Sequence, residues 1–353
     1  MTNKSIFVPG RLCLFGEHSD WAGGYRRIDE SITPGYCLAI GTSQGITATV
    51  SRSNDFVLRS VNVNGEIIAA QRLRMDEYEL FKTAKSGGFF SYAAGVAYYI
   101  FRDHKVDGLA MDNTIDLPIK RGLSSSASIC VLTARAFSEL YDLHLTRQQE
   151  MEYAYQGEIL TGSECGRMDQ ICAYGSTPVF LTFDGDRMSV DELCPSSSIY
   201  MVIVDLCCGK NTRKILYDLN HHFMNGNGHL RDGLRYALGD ANRDMLATAR
   251  QMLEQGDDAG LGNLMNETQH LFDRYVAPAC PEELIAPKLH KVLSCQEIQD
   301  LAYGGKGVGS QGDGCAQFIA KGCEEQEVLV NTFQSMHLPS YKLTVKTSAT
   351  IGI

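Results

Sequence analysis

The stretch LPIKRGLSSSASICVLTARAF, Leu117–Phe137, decides how the rest of the chain is read. A short strand, Ile115–Ile119, ends and a Gly-Leu turn follows. Three serines then stand in a row, and apolar residues recur at Ile129, Leu132, Ala136 and Leu140, the spacing of one face of a helix over 124–141. A helix start presents unpaired backbone N–H groups, and its macrodipole adds about half a positive charge there. Such a start suits an anion. Small side chains let a polyphosphate approach the backbone, and serine hydroxyls can bond phosphate oxygens or complete the oxygen shell of Mg2+. A simple N-cap is the other use of Ser124–Ser126, although a cap needs one serine. The stretch is not a Walker A loop, which requires Gly-Lys-Ser/Thr, and no Rossmann fingerprint opens a βαβ unit.

Three further segments carry polar groups in unusual company. PGRLCLFGEHSDWAGGY, Pro9–Tyr25, begins as a buried strand and then delivers Glu17, His18 and Asp20 just before a Gly-Gly turn. Desolvating three polar groups at a strand end is costly unless each finds a partner. GEILTGSECGRMDQICAYG, Gly157–Gly175, holds Glu158, Glu164 and Asp169, with Arg167 close by. A carboxylate placed against a substrate hydroxyl can take its proton, and a second can hold a metal; solvated surface acids are the ordinary alternative. GGKGVGSQGDGCAQF, Gly304–Phe318, packs six glycines into its first eleven residues, as either a close backbone approach or a flexible loop.

Around these segments the chain alternates strands and helices without strict βαβ order, which implies an α+β fold. Strands are expected over 6–18, 36–63, 178–183 and 199–206, in CAQFIA and in the tail YKLTVKTS. Helical patterns cover 77–101, 147–160, 234–255, 258–276, 281–294 and 324–336. CPSSS, Cys194–Ser198, marks a boundary between domains 1–194 and 195–353. The net charge of −10 argues against nucleic-acid or membrane-surface partners, whose binding rests on basic patches. No apolar run approaches the ~20 residues of a membrane span, and MTNKSIFVPG lacks the apolar core of a signal peptide. The twelve cysteines form no paired CxxC clusters, so reduced thiols and a cytoplasmic location are expected.

Taken together, these segments resemble the GHMP kinases, named for galactokinase, homoserine kinase, mevalonate kinase and phosphomevalonate kinase. The N-terminal segment, the Gly-Leu-Ser-Ser-Ser-Ala loop and the C-terminal Gly-rich loop appear in the family's order. Within the family, GEHSDWAGG, GLSSSAS and CGRMDQ are most similar to the galactokinase signatures, and Asp20 separates them from the mevalonate kinase pattern. The resemblance implies a two-lobed α+β fold with the active site in the cleft between the lobes. It implies an ATP- and Mg2+-dependent kinase acting on the anomeric hydroxyl of a galactose-like sugar, working as a monomer or homodimer. Kinases for a uronic acid, pentose, deoxysugar or heptose phosphate are the alternative. A mevalonate-type kinase or a non-catalytic sugar sensor is a poorer fit.

Carried over by position, Asp169 becomes the catalytic base and Arg11 its neighbour, keeping the carboxylate ionised and stabilising the transferring phosphoryl group. Glu17, His18, Asp20, Gly166 and Arg167 become sugar-binding residues. Lys120, Gly122, Leu123, Ser124, Ser125, Ser126 and Ala127, with Gly307, Gly309 and Gly312, become ATP-binding residues, and Ser126 and Glu158 the Mg2+ ligands. Three segments depart from the galactokinase pattern. Arg167 replaces an apolar residue and either offers a partner to a uronic acid carboxylate or a sugar phosphate, or pairs with Glu164 or points to solvent. The Gly-rich loop carries Ser310, Gln311 and Asp313 where galactokinases are richer in glycine, and an acid near phosphates is unexpected. Lys120 and Arg121 precede the serines where small residues are usual.

Overall fold

A computed structural model describes residues 3–88, 90–117, 123–163 and 165–345. In chain order its elements are β1 (Lys4–Phe15), α1 (Ser19–Gly24), β2 (Gly35–Ser53), β3 (Asp55–Asn62), β4 (Ile67–Arg74), α2 (Glu77–Lys85), α3 (Ser91–His104), β5 (Gly108–Asp116), α4 (Ser125–Tyr141) and α5 (Arg147–Leu160). There follow β6 (Val179–Asp184), β7 (Arg187–Glu192), β8 (Ile199–Asp205), α6 (Thr212–Asn225), α7 (Gly228–Leu238), α8 (Asp240–Gln255) and α9 (Asp258–Tyr275). The chain closes with α10 (Pro281–Leu284), α11 (Pro287–Leu293), α12 (Gln296–Leu301), β9 (Ala302–Gly307), β10 (Cys315–Ala320), α13 (Cys323–Ser335) and β11 (Ser340–Val345). This mixture is the α+β architecture expected.

The chain divides into two compact units, residues 1–11 with 41–176 and residues 12–40 with 177–353. Cys194–Ser198 lies inside the second of these. In the first unit β5 is flanked by β2, antiparallel from Gly45↔Asp116 to Ser53↔Gly108, and by β3, parallel from Val57↔Ala110. β4 pairs antiparallel with β3 at the edge. Helices α3, α4 and α5 pack on one another. α4 buries residues around its whole circumference from Ala127 to Leu140, so it is an interior helix rather than a surface one. α3 and α5 approach backbone to backbone, because a Cβ on Gly95 would stand 2.3 Å from the Gly157 carbonyl oxygen. A capping box fixes the start of α5: Thr146 accepts from the Gln149 amide, and the Gln149 side chain accepts from the Thr146 amide. The register of α5, and hence the place of Glu158, follows from that cap.

In the second unit the start of β2 pairs with β6, and β6 turns back into β7 through Gly185–Asp186. A separate antiparallel sheet runs β11-β8-β10-β9. α13 lies against β8, β10 and β11, burying Leu329 and Phe333 with Val202, Val204 and Phe318. A second core gathers Phe223, Leu219, Leu234 and Phe272 from α6, α7 and α9. β9 is an edge strand seated on α9. A Cβ on Gly304 would fall 1.9 Å from the Gly262 carbonyl oxygen, so both residues must be glycine for helix and strand to meet.

Several elements differ from expectation in their bounds. The helical pattern over 77–101 is two helices, and that over 281–294 breaks at Ile285–Ala286. The pattern over 234–255 divides at Gly239, whose backbone leaves the helical region and whose Cβ would strike the Arg235 carbonyl at 2.5 Å. The Gly-rich segment begins as strand β9 and becomes a turn only after Gly307. The strand expected at Ile115–Ile119 is the end of a longer one that starts at Gly108; Pro118 and Ile119 lie outside the described residues.

Candidate active site

In the first unit, four of the expected site residues converge. Arg11, near the end of β1, is 4% exposed and directs Nη2 onto Asp169 Oδ1. Its backbone amide donates to the Leu123 carbonyl at 3.0 Å, so the strand carrying the arginine is bonded to the residue before the serines. Asp169 opens a 3-10 turn, Asp169–Tyr174, and keeps 23% of its side chain exposed. Arg135 of α4 braces that turn, donating to Glu150 of α5 at 2.6 Å and to the Ala173 carbonyl at 2.8 Å.

Glu158 completes the group from α5. It is 2% exposed, accepts from Ser126 Oγ at 2.7 Å on one oxygen and from Gln170 Nε2 at 2.9 Å on the other. Burial and the Asp169 carboxylate push its carboxyl up to about 7, against the pull of those two hydrogen bonds and of Arg11. A buried carboxylate held ready beside a hydroxyl, and short of positive charge, is a fitting place for a cation.

The serines begin α4. Ser124 sits at φ +55°, ψ +49°, which turns the chain sharply into the helix, and its hydroxyl makes no cap hydrogen bond. The first-turn amides that follow have no acceptor within the helix. Ser128 Oγ donates to the Pro9 carbonyl at 2.8 Å, fastening the helix start to β1. Leu123 and Ala127 are buried and present backbone only. Lys120, Arg121, Gly122 and Glu164 lie outside the described residues.

Arg167 is placed elsewhere. Its guanidinium meets Glu152 of α5 at 3.4 Å and lies over the Tyr155 ring at 4.4 Å from the centroid. Among the described residues its carboxylate partner is Glu152; the pairing expected with Glu164 lies outside the described residues. Gly166 is half-buried beside it.

In the second unit the N-terminal motif is largely turned inward. Glu17 is 6% exposed and forms an ion pair with Lys306, which has no exposed surface. His18, at φ +70°, accepts from Trp21 Nε1 at 3.1 Å and stacks on Phe272. Burial, then the Lys210 and Lys306 ammonium groups, hold its imidazole down at about 3, so it is neutral. Asp20 alone of the three is half-buried, in the first turn of α1.

The turn after Gly307 is closely pinned. Lys210 Nζ donates to the carbonyls of Val308 and Gln311 at 3.3 and 2.6 Å. Asp313 Oδ1 accepts from the Leu289 amide at 2.9 Å in the first turn of α11, which gives the unexpected acid a structural employment. The Gly307 amide donates to Gln269 at 2.8 Å, so it has an acceptor already. Gly309 and Gly312 adopt φ +63° and +73°, left-handed values that favour glycine.

The family model described as the GHMP kinases N terminal domain matches residues 91–176, the span that holds Ser126, Glu158 and Asp169. Among curated proteins, the galactokinase of Thermotoga neapolitana is 30% identical over 167 residues, 47% of this chain and 41% of its own length. Over that span the chain is similar to the GHMP kinases. The chain matches less than half the length of that Thermotoga relative. Two solved GHMP kinases share the fold. Lactococcus lactis galactokinase complexed with galactose has a TM-score of 0.72 and 17% identity, covering 98% of this chain and 93% of its own. Methanococcus jannaschii mevalonate kinase has a TM-score of 0.73 and 16% identity, covering 97% and 98%. Galactokinase and mevalonate kinase fit the fold equally, so the fold leaves the acceptor open.

Sequence reasoning missed Gln170, Lys306 and Lys210. Gln170 follows Asp169 directly, and its only mark in the sequence was membership of the quoted CGRMDQ motif. Lys306 stands within a run read as backbone, where a single basic residue carried no apparent meaning.

Proposed function

We propose that this chain is a kinase of the GHMP type, an ATP-dependent sugar kinase that phosphorylates the anomeric hydroxyl of a galactose-like monosaccharide. The observation that carries the reading is the part-buried Arg11–Asp169 pair beside the Ser126–Glu158 pair, all within one unit. Asp169, partly open to solvent, accepts the proton of the attacking hydroxyl. The sugar oxygen bonds to the γ-phosphorus, the bond from that phosphorus to the β-bridging oxygen breaks, and ADP leaves. Arg11 orients the carboxylate and offsets charge on the transferring group, the main task in a loose phosphoryl transfer. Amides at the start of α4 suit the phosphates of ATP.

Mg2+ fits the donor set. Ser126 Oγ and Glu158 Oε1 stand 2.7 Å apart, both hard oxygen donors, and Mg2+ usually takes few protein ligands beside phosphates and water. When bound it neutralises charge on the phosphates. Gln170 holds the Glu158 carboxylate in place from its other oxygen.

A neutral sugar is favoured over an anionic one, because the Arg167 guanidinium is engaged by Glu152 and Tyr155. Of the N-terminal motif, Asp20 is the residue we assign to a sugar hydroxyl. ADP release measured against a panel of neutral and anionic monosaccharides, with mevalonate included, tests the reading. Turnover on a neutral hexose with phosphate appearing at C1 is expected. Turnover confined to mevalonate or a sugar acid would overturn it.

A further inference from the structure

Glu17 and Lys306 stand 289 residues apart and share the most deeply buried ion pair in the second unit. Hydration of two full charges is given up there, which only close and well-directed contacts offset. Lys306 Nζ also donates to the Gly307 carbonyl at 3.0 Å, at the point where β9 gives way to the Gly-rich turn. Close by, Gln317 Nε2 of β10 donates to the Cys13 carbonyl at 2.7 Å, so β1 and the turn just after it are bonded to the two strands that flank the Gly-rich turn. The cavity beside Glu17, lined by Gly16, Asn242, Leu271, Phe272 and Gln311, has a volume of about 30 Å3. That is room for one water, whereas small-molecule sites run to roughly 300 Å3 or more.

We infer that Glu17 and Lys306 are positioning residues: their ion pair fixes the entry of the Gly-rich turn against the end of β1 and thereby sets the turn for nucleotide phosphates. The inference rests on the kinase reading of that turn. Glu17 is then no sugar ligand in this chain, despite its place in a motif whose resemblance assigns it to sugar hydroxyls. The turn is held at its entry by Lys306, in its middle by Lys210 and at its exit by Asp313. Loss of the first hold lets the whole turn shift, and shifts near 1 Å can cost up to about 100-fold in function.

The experiment measures ADP and galactose affinity by calorimetry on the full chain, with Mg2+ present, for Glu17→Gln, Lys306→Met and the double variant. Each single variant should weaken ADP about tenfold and leave galactose within about twofold, and the double should be no weaker than the worse single. A tenfold loss of galactose affinity in Glu17→Gln with ADP unchanged overturns the inference, as do losses that multiply in the double. If Lys306→Met does not fold, Glu17→Asp and Lys306→Arg keep both charges and change only reach. Weaker ADP binding in both supports the inference, and unchanged binding in both overturns it. Where the wild type binds ADP but neither binds galactose nor turns over a sugar, the substrate reading fails while the ADP measurements still decide this inference. A wild type that binds no ADP overturns both.

Discussion

The Arg11–Asp169 group and the Glu17–His18 group come from motifs that read alike, each a set of polar residues beside a buried strand. They end in opposite states. Asp169 keeps a quarter of its surface open, next to a hydroxyl-carboxylate pair. Glu17 is paired with Lys306, and His18 is buried with Nδ1 accepting from Trp21 and its ring stacked on Phe272. A motif thus fixes where a residue stands in the fold. Its partners, which can arrive from 289 residues away, fix what it does.

The sharpest way to break this contrast is Asp169→Asn. If the first group is reactive, the rate constant falls by about 10² to 10⁴ while sugar affinity stays within a few fold. Wild-type turnover in coupled ADP release would remove Asp169 from the chemistry. Gln170→Leu comes next, because it frees the second oxygen of Glu158. The Mg2+ concentration for half-maximal rate should rise about 10- to 100-fold, with the sugar KM little changed. An unchanged Mg2+ titration would separate Glu158 from the metal.

The second group is better probed through stability. The His18 imidazole titrates at about 3 in the folded chain and near 6.5 when unfolded. Between those values the unfolded chain binds a proton that the folded chain refuses, so stability rises with pH across the window. It is fully present above about 6.5 and is lost as pH falls. Denaturant midpoints at pH 4.5 and pH 7 should differ by on the order of 2 kcal/mol more in wild type than in His18→Asn. Equal pH dependence in both would show His18 to be accessible to protons.

Smaller effects complete the series. Asp313→Ala removes the acceptor for the Leu289 amide and should cost about 1 kcal/mol in thermal unfolding. A variant as stable as wild type would return Asp313 to the list of ligand-facing residues. Arg167→Ile should leave the rates with neutral and anionic sugars within about twofold of wild type, since it loses only a partly exposed pair with Glu152. A selective loss on the anionic sugar would reinstate Arg167 as a substrate reader.

Much of the fold was legible because it rests on local signals. α5 runs over 147–160 as the helical pattern indicates, and β8, β10 and α13 fall within a residue or so of expectation. β4 was not legible: IIAAQRLR has no strand alternation, and its edge position leaves Ile67 63% exposed. β7 is equally silent in RMSVDE and exists because β6 offers it a hairpin partner. In the site, Arg11, Ser126, Glu158 and Asp169 could be assembled from motifs. The Lys306 pairing could not, since nothing in GGKGVG announces which distant carboxylate its lysine will meet. The Arg167–Glu152 contact was equally silent, because that carboxylate sits on a neighbouring helix.

The seat of Gly304 on Gly262 has a consequence for how this segment tolerates change. A single methyl group at 304 would have to occupy space already held by a carbonyl oxygen of α9. Randomising residues 302–314 and selecting for folded protein should therefore recover glycine at 304 as strictly as at any position of the turn. Part of the glycine richness that looks like a nucleotide signature is thus imposed by the helix behind the strand, and would persist in a relative that had lost all catalysis.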